Sequence, residues 1–294
     1  MGDWIALARP RQWSKNLLLY AAFLFTAGDA WEFGEREALT LFGRATLAFV
    51  AFCALSSAGY LLNDVRDTAL DREHPRKRLR PVAAGRIHPV RAVRGAWLLV
   101  APGLALGTPL GAPFVAAAVA YLAGTVAYTL AMKRIPLVDV IAVAGLFALR
   151  ALAGALAIGV DASAWILVCT FAGALFVAGV KRQQEQWLLG SDAPAHRETL
   201  TGGSRWPRRV VAAAGVATAA LYLAYTLTAP NLPDDGSMVV TAPFVIAALG
   251  RYYVVARRYP HRDAEEVAFR DPVMLALVVG FVALAVTLLG AGSR

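Results

Sequence analysis

Charge is scarce in this chain: 17% of its 294 residues are Asp, Glu, Lys or Arg, against 58% that are hydrophobic. That balance excludes an ordinary soluble domain, which carries about 25% charged residues. Cysteine is nearly absent. Cys53 and Cys169 both fall inside apolar runs, which excludes a disulfide framework or a thiolate metal site. The four histidines, 74, 88, 196 and 261, are scattered over predicted loops without an HExxH or paired Cys/His spacing, so no zinc centre is expected. A soluble basic module or recognition motif is also lacking, and nucleic acid is not expected as a partner despite the net charge of +9. The first apolar run follows RPRQWSK and has no small-residue cleavage site, so the reading is of a retained segment rather than a cleaved signal peptide.

What the chain has is apolar length. Nine runs are long enough to cross a bilayer as helices, at approximately 13–30, 40–62, 92–108, 112–131, 137–158, 162–180, 208–229, 238–256 and 271–291. The expected fold class is an all-α integral membrane protein of about nine transmembrane helices, one polytopic domain over residues 1–294. All but four of the 29 basic residues (Arg36, Arg44, Arg150 and Arg294) fall at the start or in the connections after runs two, four, six and eight, counting Arg251 at the inner end of run eight. Lys and Arg in short loops stay cytoplasmic, which puts the N-terminus inside and the C-terminus outside. The outer connections hold Asp29, Glu32, Glu35, Glu37, Asp161, Asp234 and Asp235 instead. Two inner connections, 63–91 and 181–207, are the longest and lie four helices apart, which hints at a duplicated four-helix unit with a ninth helix appended.

The scarce charge is concentrated. LNDVRDTALDREHPRKRLRP, residues 62–81, holds four acidic and six basic side chains. If the second helix continues past the membrane boundary, Asn63, Asp67 and Asp71 follow at i+4 steps and Asp64 joins them on one face. Carboxylates so placed repel by about 0.2 to 0.5 kcal/mol per exposed pair, so a positive partner is required. Two are available: local pairing with Arg66, Arg72 and the basic run, or Mg2+, which suits a few carboxylates plus water and substrate phosphate oxygens. Arg76, Lys77, Arg78 and Arg80 follow between Pro75 and Pro81, and offer forks and point charges for phosphate. Acids for a metal beside bases for phosphate make one diphosphate clamp, although attraction to anionic membrane lipids explains a basic run equally simply.

The nonamer NDVRDTALD resembles the N-D-x-x-D-x-x-x-D motif of the UbiA superfamily of intramembrane prenyltransferases, and helix count and loop placement extend the similarity over most of the chain. The resemblance implies a UbiA-like helical bundle with a cytoplasmic-side active-site cavity. It also implies Mg2+ held by Asn63, Asp64, Asp67 and Asp71, the three aspartates acting in catalysis. One departure sets the subclass. Where aromatic prenyltransferases carry a second D-x-x-x-D after helix six, this chain reads KRQQEQ, with Lys181, Arg182 and Glu185. With RPRQWSKN (9–16), PRKRLRPVAAG (75–85), YTLAMKRIPLVDV (128–140) and LRALAGA (149–155), the sequence is similar to the decaprenyl-phosphate phosphoribosyltransferase branch. Such an enzyme moves a 5-phosphoribosyl group from phosphoribosyl diphosphate to a polyprenyl phosphate, in cell-wall arabinan precursor synthesis.

That reaction joins two anions, so additional cations have a task that an aromatic acceptor would not set. A phosphate nucleophile is ionised near neutral pH, and no dedicated general base is needed. Arg11, Lys15, Lys77, Arg78, Arg80, Lys133, Lys181 and Arg182 are the candidates for the substrates' phosphates, with Tyr128 and Glu185 beside them; snorkelling to the interface is the alternative for the lysines. Arg150 lies eleven residues into helix five from Asp139, about 16 Å deeper. At that depth it faces a protein interior or a wet cavity, either at the site or in a structural pair. Asp139 is expected to order Lys133 or complete the polar cavity, chiefly as a structural residue. Membrane lipids surround the chain, and a homo-oligomer is compatible with the sequence. Two rivals remain at this stage. One is an aromatic prenyltransferase, which the missing second acidic motif disfavours. The other is a transporter or lipid-binding membrane protein that uses the charged loops as a gate; a transporter would carry its charge nearer the midplane than the inner face.

Overall fold

The structure is a computed structural model that describes all residues except 1, 29, 33, 190–203, 231, 234 and 293–294. Asp29, His196, Asp234 and Arg294 therefore lie outside the described residues. The elements are helical throughout. After α1 (Gly2–Ala8) come a 3-10 segment (Pro10–Tyr20), α2 (Ala21–Phe25), α3 (Arg36–Arg66), α4 (Thr68–Glu73) and α5 (Pro89–Gly107). Then follow α6 (Ala112–Leu130), α7 (Val138–Ile158), α8 (Ala164–Leu189), α9 (Trp206–Thr228), α10 (Ala242–Arg258), α11 (Ala264–Arg270) and α12 (Pro272–Gly292).

Among the described residues, eight helices are long and apolar enough to cross a membrane, and they match eight of the nine expected runs. The run at 13–30 takes another form. Its first part is the eleven-residue 3-10 segment and its second the five-residue α2. A 3-10 helix rises about 2.0 Å per residue, so the two together reach about 30 Å, the thickness of the hydrocarbon layer. The narrow segment packs against small residues of α7, with Leu19 beside Gly154 and in one cluster with Ala153 and Ala157. A Cβ on Gly154 would lie 2.2 Å from the Leu19 carbonyl oxygen, so only glycine permits this approach. Small residues that let backbones meet are the usual basis of helix contact in lipid.

Two further departures shape the charged end. Helix α8 runs on to Leu189, so KRQQEQ is carried on a rigid helix rather than in the connection expected from residue 181. Helix α3 stops at Asp67, whose backbone leaves the helical region (φ −92°, ψ 4°), and α4 resumes at Thr68. The Asp71 amide still donates to the Asp67 carbonyl at 2.8 Å, but the step divides the acidic stripe. The apolar core holds these ends in place. Phe52 and Leu55 of α3 pack with Phe114 and Tyr121 of α6, while Phe176 and Val180 of α8 pack with Val211 of α9 and Tyr252 of α10.

Candidate active site

The ends of α3, α6 and α8, the turn after α10 and the residues after α4 enclose a polar chamber of about 420 Å³ at the charged end of the bundle. A second chamber of about 430 Å³ continues from it between the helices, lined mainly by apolar side chains such as Leu146, Phe147 and Val177. Arg9, Asn63, Tyr128, Lys181 and Arg182 line both. A polar ligand in the first and an apolar chain in the second would therefore meet at these five residues.

The step at Asp67 sends the stripe's side chains two ways. Asn63 and Asp67 face the polar chamber, with Asn63 Nδ2 donating to Asp67 Oδ2 at 3.0 Å. Lys133, on the turn after α6, binds the Asp67 carboxylate and reaches Asn63 Oδ1 at 3.3 Å. Asp64 and Asp71 are buried behind that wall, 1% and 3% exposed. Arg80 bridges them, at 3.2 Å to Asp64 and 2.7 Å to Asp71, and Arg9 binds Asp64 as well. The four-residue metal shell expected on one face is thus split into a chamber-facing pair and an arginine-locked pair. Nor do Arg66 and Arg72 neutralise the stripe: Arg66 is exposed, and Arg72 donates to the Ala83 carbonyl. Arg9 reaches Asp64 because its backbone sits in the left-handed region (φ 53°, ψ 62°), a strained conformation for a non-glycine residue. Burial and the nearby Arg80 push the Arg9 guanidinium below its ordinary value, against the pull of Asp64.

The opposite wall is built on α8. Arg182 donates to both carboxylate oxygens of Asp139, at 2.5 Å and 3.1 Å, and to Glu185 at 3.1 Å. Tyr128 donates to the same carboxylate at 2.9 Å. Asp139 is fully buried and orders Arg182 and Tyr128 on the wall of the polar chamber, a structural use. Such a pair is expensive to break: removing one partner of a buried ion pair costs about 3 to 5 kcal/mol.

Arg150 lines the apolar chamber and is 4% exposed. Its hydrogen bonds go to the neutral acceptors Asn16 Oδ1 (3.0 Å), Tyr121 Oη (2.7 Å) and the Leu146 carbonyl (3.2 Å). Its guanidinium also lies 4.6 Å from the Tyr121 ring centre, a cation–π contact. Lys15 lines the same chamber and pairs with Glu265 of α11 at 2.8 Å. Two of the basic candidates are not brought in. Arg11, with a side chain 79% exposed, meets Glu266 at 3.7 Å, and Arg78 is exposed on the turn after α4; neither lines a chamber, because each points from its turn toward the outside. Lys77, Arg80 and Glu185 line the polar chamber.

Several chamber residues escaped the sequence reading. Arg9 opens the RPRQWSKN block, whose resemblance to the family was its only signal; Asn16 at the other end is fully buried, lines neither chamber and accepts from Arg150. Glu265, His261 and Asp263 line the chambers from the α10–α11 connection, where no recognisable motif stands. Arg76 anchors that connection by donating to the His261 carbonyl.

Among the described residues no three His, Cys, Asp or Glu side chains gather into a ready metal cage. The donor set at the chamber is nonetheless suitable for Mg2+: one carboxylate and one amide oxygen, both hard, one helical turn apart. Mg2+ commonly takes one or two protein oxygens and completes its octahedron with water and substrate phosphate. Asp64 and Asp71 are engaged instead by Arg80 and Arg9.

Known proteins are similar to this chain over nearly its whole length. The decaprenyl-phosphate phosphoribosyltransferase of Mycobacterium tuberculosis is 33% identical over 94% of this chain and 90% of its own length. The protein of the same name from Corynebacterium glutamicum is 33% identical over 95% of this chain and 84% of its own. In fold, the chain is similar to the solved structure of a UbiA homolog from Archaeoglobus fulgidus bound to GPP and Mg2+, with a TM-score of 0.68, 20% identity and 99% of each chain covered. The UbiA prenyltransferase family matches residues 20–273, and the chain belongs to that family.

Proposed function

We propose that this protein transfers a 5-phosphoribosyl group from phosphoribosyl diphosphate to a polyprenyl phosphate, releasing diphosphate. The observation that carries the reading is the basic end of α8: Lys181 and Arg182 stand on the wall common to both chambers, where two phosphorylated substrates would have to approach each other. An aromatic acid brings at most a carboxylate to such a wall, whereas the lipid phosphate brings a second phosphate group. The two M. tuberculosis and C. glutamicum relatives bear the name of this activity over nearly the whole chain.

In this reading the polar chamber holds the sugar donor and the apolar chamber the lipid. Asn63 and Asp67 would hold Mg2+, which when bound supplies positive charge to the donor's diphosphate as it leaves. Lys77, Arg80 and Lys133 line the polar chamber alone and bind the donor's phosphate oxygens as point charges and forks. A phosphate oxygen of the lipid attacks the ribose anomeric carbon while the bond from that carbon to the diphosphate oxygen breaks, its electron pair leaving with diphosphate. The transition state has oxocarbenium character, by analogy with other glycosyl transfers. Arg182, fixed by Asp139, lies where the two anions approach and screens their repulsion. A nucleophile that is already ionised needs no general base. The charged end, with its chambers, faces the cytoplasm by the distribution of Lys and Arg.

The test offers the purified protein labelled phosphoribosyl diphosphate with a polyprenyl phosphate in one mixture, and a prenyl diphosphate with aromatic acids in another. Magnesium-dependent product is expected in the first alone. Product in the second alone would make the protein an aromatic prenyltransferase and reject the proposal.

A further inference from the structure

The apolar chamber is closed at its charged end by α11. Glu265 projects from this short helix, 9% exposed, with one carboxylate oxygen 2.8 Å from the Lys15 ammonium. Its other oxygen accepts from Gln12 Nε2 at 3.0 Å. Gln12 in turn accepts from Lys15, so the carboxylate is held by a cation, an amide donor and the charge of Lys181 nearby. This is the ligand set that a phosphate would seek, and a carboxylate already occupies it. Burial pushes the Glu265 carboxyl up, but Lys15 and Lys181 outweigh burial and hold it below the usual range, so it is an anion at neutral pH.

The location says which phosphate. Lys15 lines the apolar chamber and not the polar one, whereas Lys133, Lys77 and Arg80 line the polar chamber and not the apolar one. Lys181 stands on the boundary. An anion drawn to Lys15 and Lys181 therefore has its remaining bulk among Phe147, Leu146 and Val177, which suits a lipid chain and not a ribose.

From this we infer that Lys15 and Lys181 form the subsite for the phosphate of the lipid substrate, and that the Glu265 carboxylate is its internal stand-in, displaced when the lipid phosphate enters. The inference rests on the two-chamber reading above and adds a specificity device to it. Glu265 compensates two ammonium groups while the chamber holds no anion, and it excludes a neutral polyprenol, which has no charge with which to replace the carboxylate. Losing the Glu265 tether loosens α11, which has seven residues and whose second acid, Glu266, contacts Arg11 and Arg270 at 3.7 and 3.6 Å on an exposed face, while Val267, fully buried with Tyr252 and Val255, keeps the helix on the bundle.

The experiment measures binding of farnesyl phosphate, farnesol and phosphoribosyl diphosphate to the full chain in detergent, without turnover. The wild type is expected to prefer farnesyl phosphate to farnesol. A competing state favoured ten to one lowers apparent affinity about tenfold, so Glu265→Gln should bind farnesyl phosphate about tenfold tighter, with farnesol and phosphoribosyl diphosphate unchanged. Lys15→Met should weaken farnesyl phosphate alone. Hydrogen exchange provides a readout that does not depend on the variants: farnesyl phosphate should accelerate exchange at the amides of residues 264–270 in the wild type. Unchanged or weaker binding by Glu265→Gln, or slower or unaltered exchange over 264–270, would overturn the inference and leave the proposed function standing. A wild type that binds farnesol as well as farnesyl phosphate would overturn the proposed function, and the inference with it.

Discussion

Two helix ends face each other across the polar chamber, four membrane helices apart in the chain, and their charges are opposite. The end of α3 presents Asn63 and Asp67; the end of α8 presents Lys181 and Arg182. Each end also carries its counter-charge behind it. Arg80 and Arg9 back the acidic end, and Asp139 and Glu185 back the basic one. One end thus suits a cation that bridges to a diphosphate, and the other suits an anion directly. A chamber with two acidic ends would gather metal around a single diphosphate. This one is arranged for a diphosphate on one side and a second phosphate on the other.

The largest effect should come from breaking the acidic end, and it should separate the residues of the stripe. Asp67→Asn removes the carboxylate that the acidic end presents to the chamber, and magnesium-dependent turnover should fall about a hundredfold or more, since charge stabilisation by a metal contributes several kcal/mol. Its thermal stability should change little, because Asp67 is half-buried and Lys133 can remain near Asn63. Asp64→Asn should do the reverse to stability. It leaves Arg9 and Arg80 facing a neutral group, and losing one side of a buried pair costs about 3 to 5 kcal/mol, seen as a lowered unfolding temperature. Equal behaviour of the two variants in both assays would contradict the division of the stripe.

The basic end is broken more gently through Asp139→Asn. The amide can still accept from Tyr128, but Arg182 loses its counter-charge in a buried position and retains only Glu185. Stability should drop by about 3 kcal/mol. Turnover should fall about tenfold with the KM for the lipid phosphate raised, because a guanidinium no longer clamped from two sides spends less time aimed at the chamber boundary. Arg182→Lys, which keeps the charge without the fork, should reproduce the kinetic part. A wild-type KM in both variants would show that the basic end takes no part in binding the lipid.

How much of this contrast was legible beforehand follows from where each feature is encoded. The long helices were readable because an apolar run in lipid has to satisfy its backbone internally and so has to be helical. The replacement of a second acidic motif by KRQQEQ was equally plain, since it is a change of residue type at a definite place. The division of the stripe was not, because it depends on a single backbone step at Asp67 that no residue type announces. The partners of the charges were hidden for the same reason: Arg9 meets Asp64, Lys133 meets Asp67 and Arg182 meets Asp139 across 55, 66 and 43 residues of chain. The run at 13–30 was found by its composition, but its 3-10 form follows from packing against Gly154, which the run itself does not contain. Glu265 was invisible because an acid in a short connection normally faces water, and only the folded chain places two lysines beside it.

The smallest effect concerns that glutamate and tests whether the basic end is compensated in the way described. Lys15, Lys181 and Gln12 face Glu265 from the 3-10 segment and α8, with Asp263 on its own connection. Burial raises its carboxyl and the two ammonium groups lower it further, leaving the folded pKa below the unfolded one, which is about 4.3. A depressed folded pKa gives stability that is fully present above the unfolded pKa and is lost as pH falls through the folded one. The wild type should therefore unfold at a higher temperature than Glu265→Gln by a constant margin from pH 8 down to about pH 5, and that margin should close only below about pH 4. A margin that shrinks already between pH 7 and pH 5 would mean that burial prevails over the lysines, and the carboxylate would then be no stand-in for a phosphate at neutral pH.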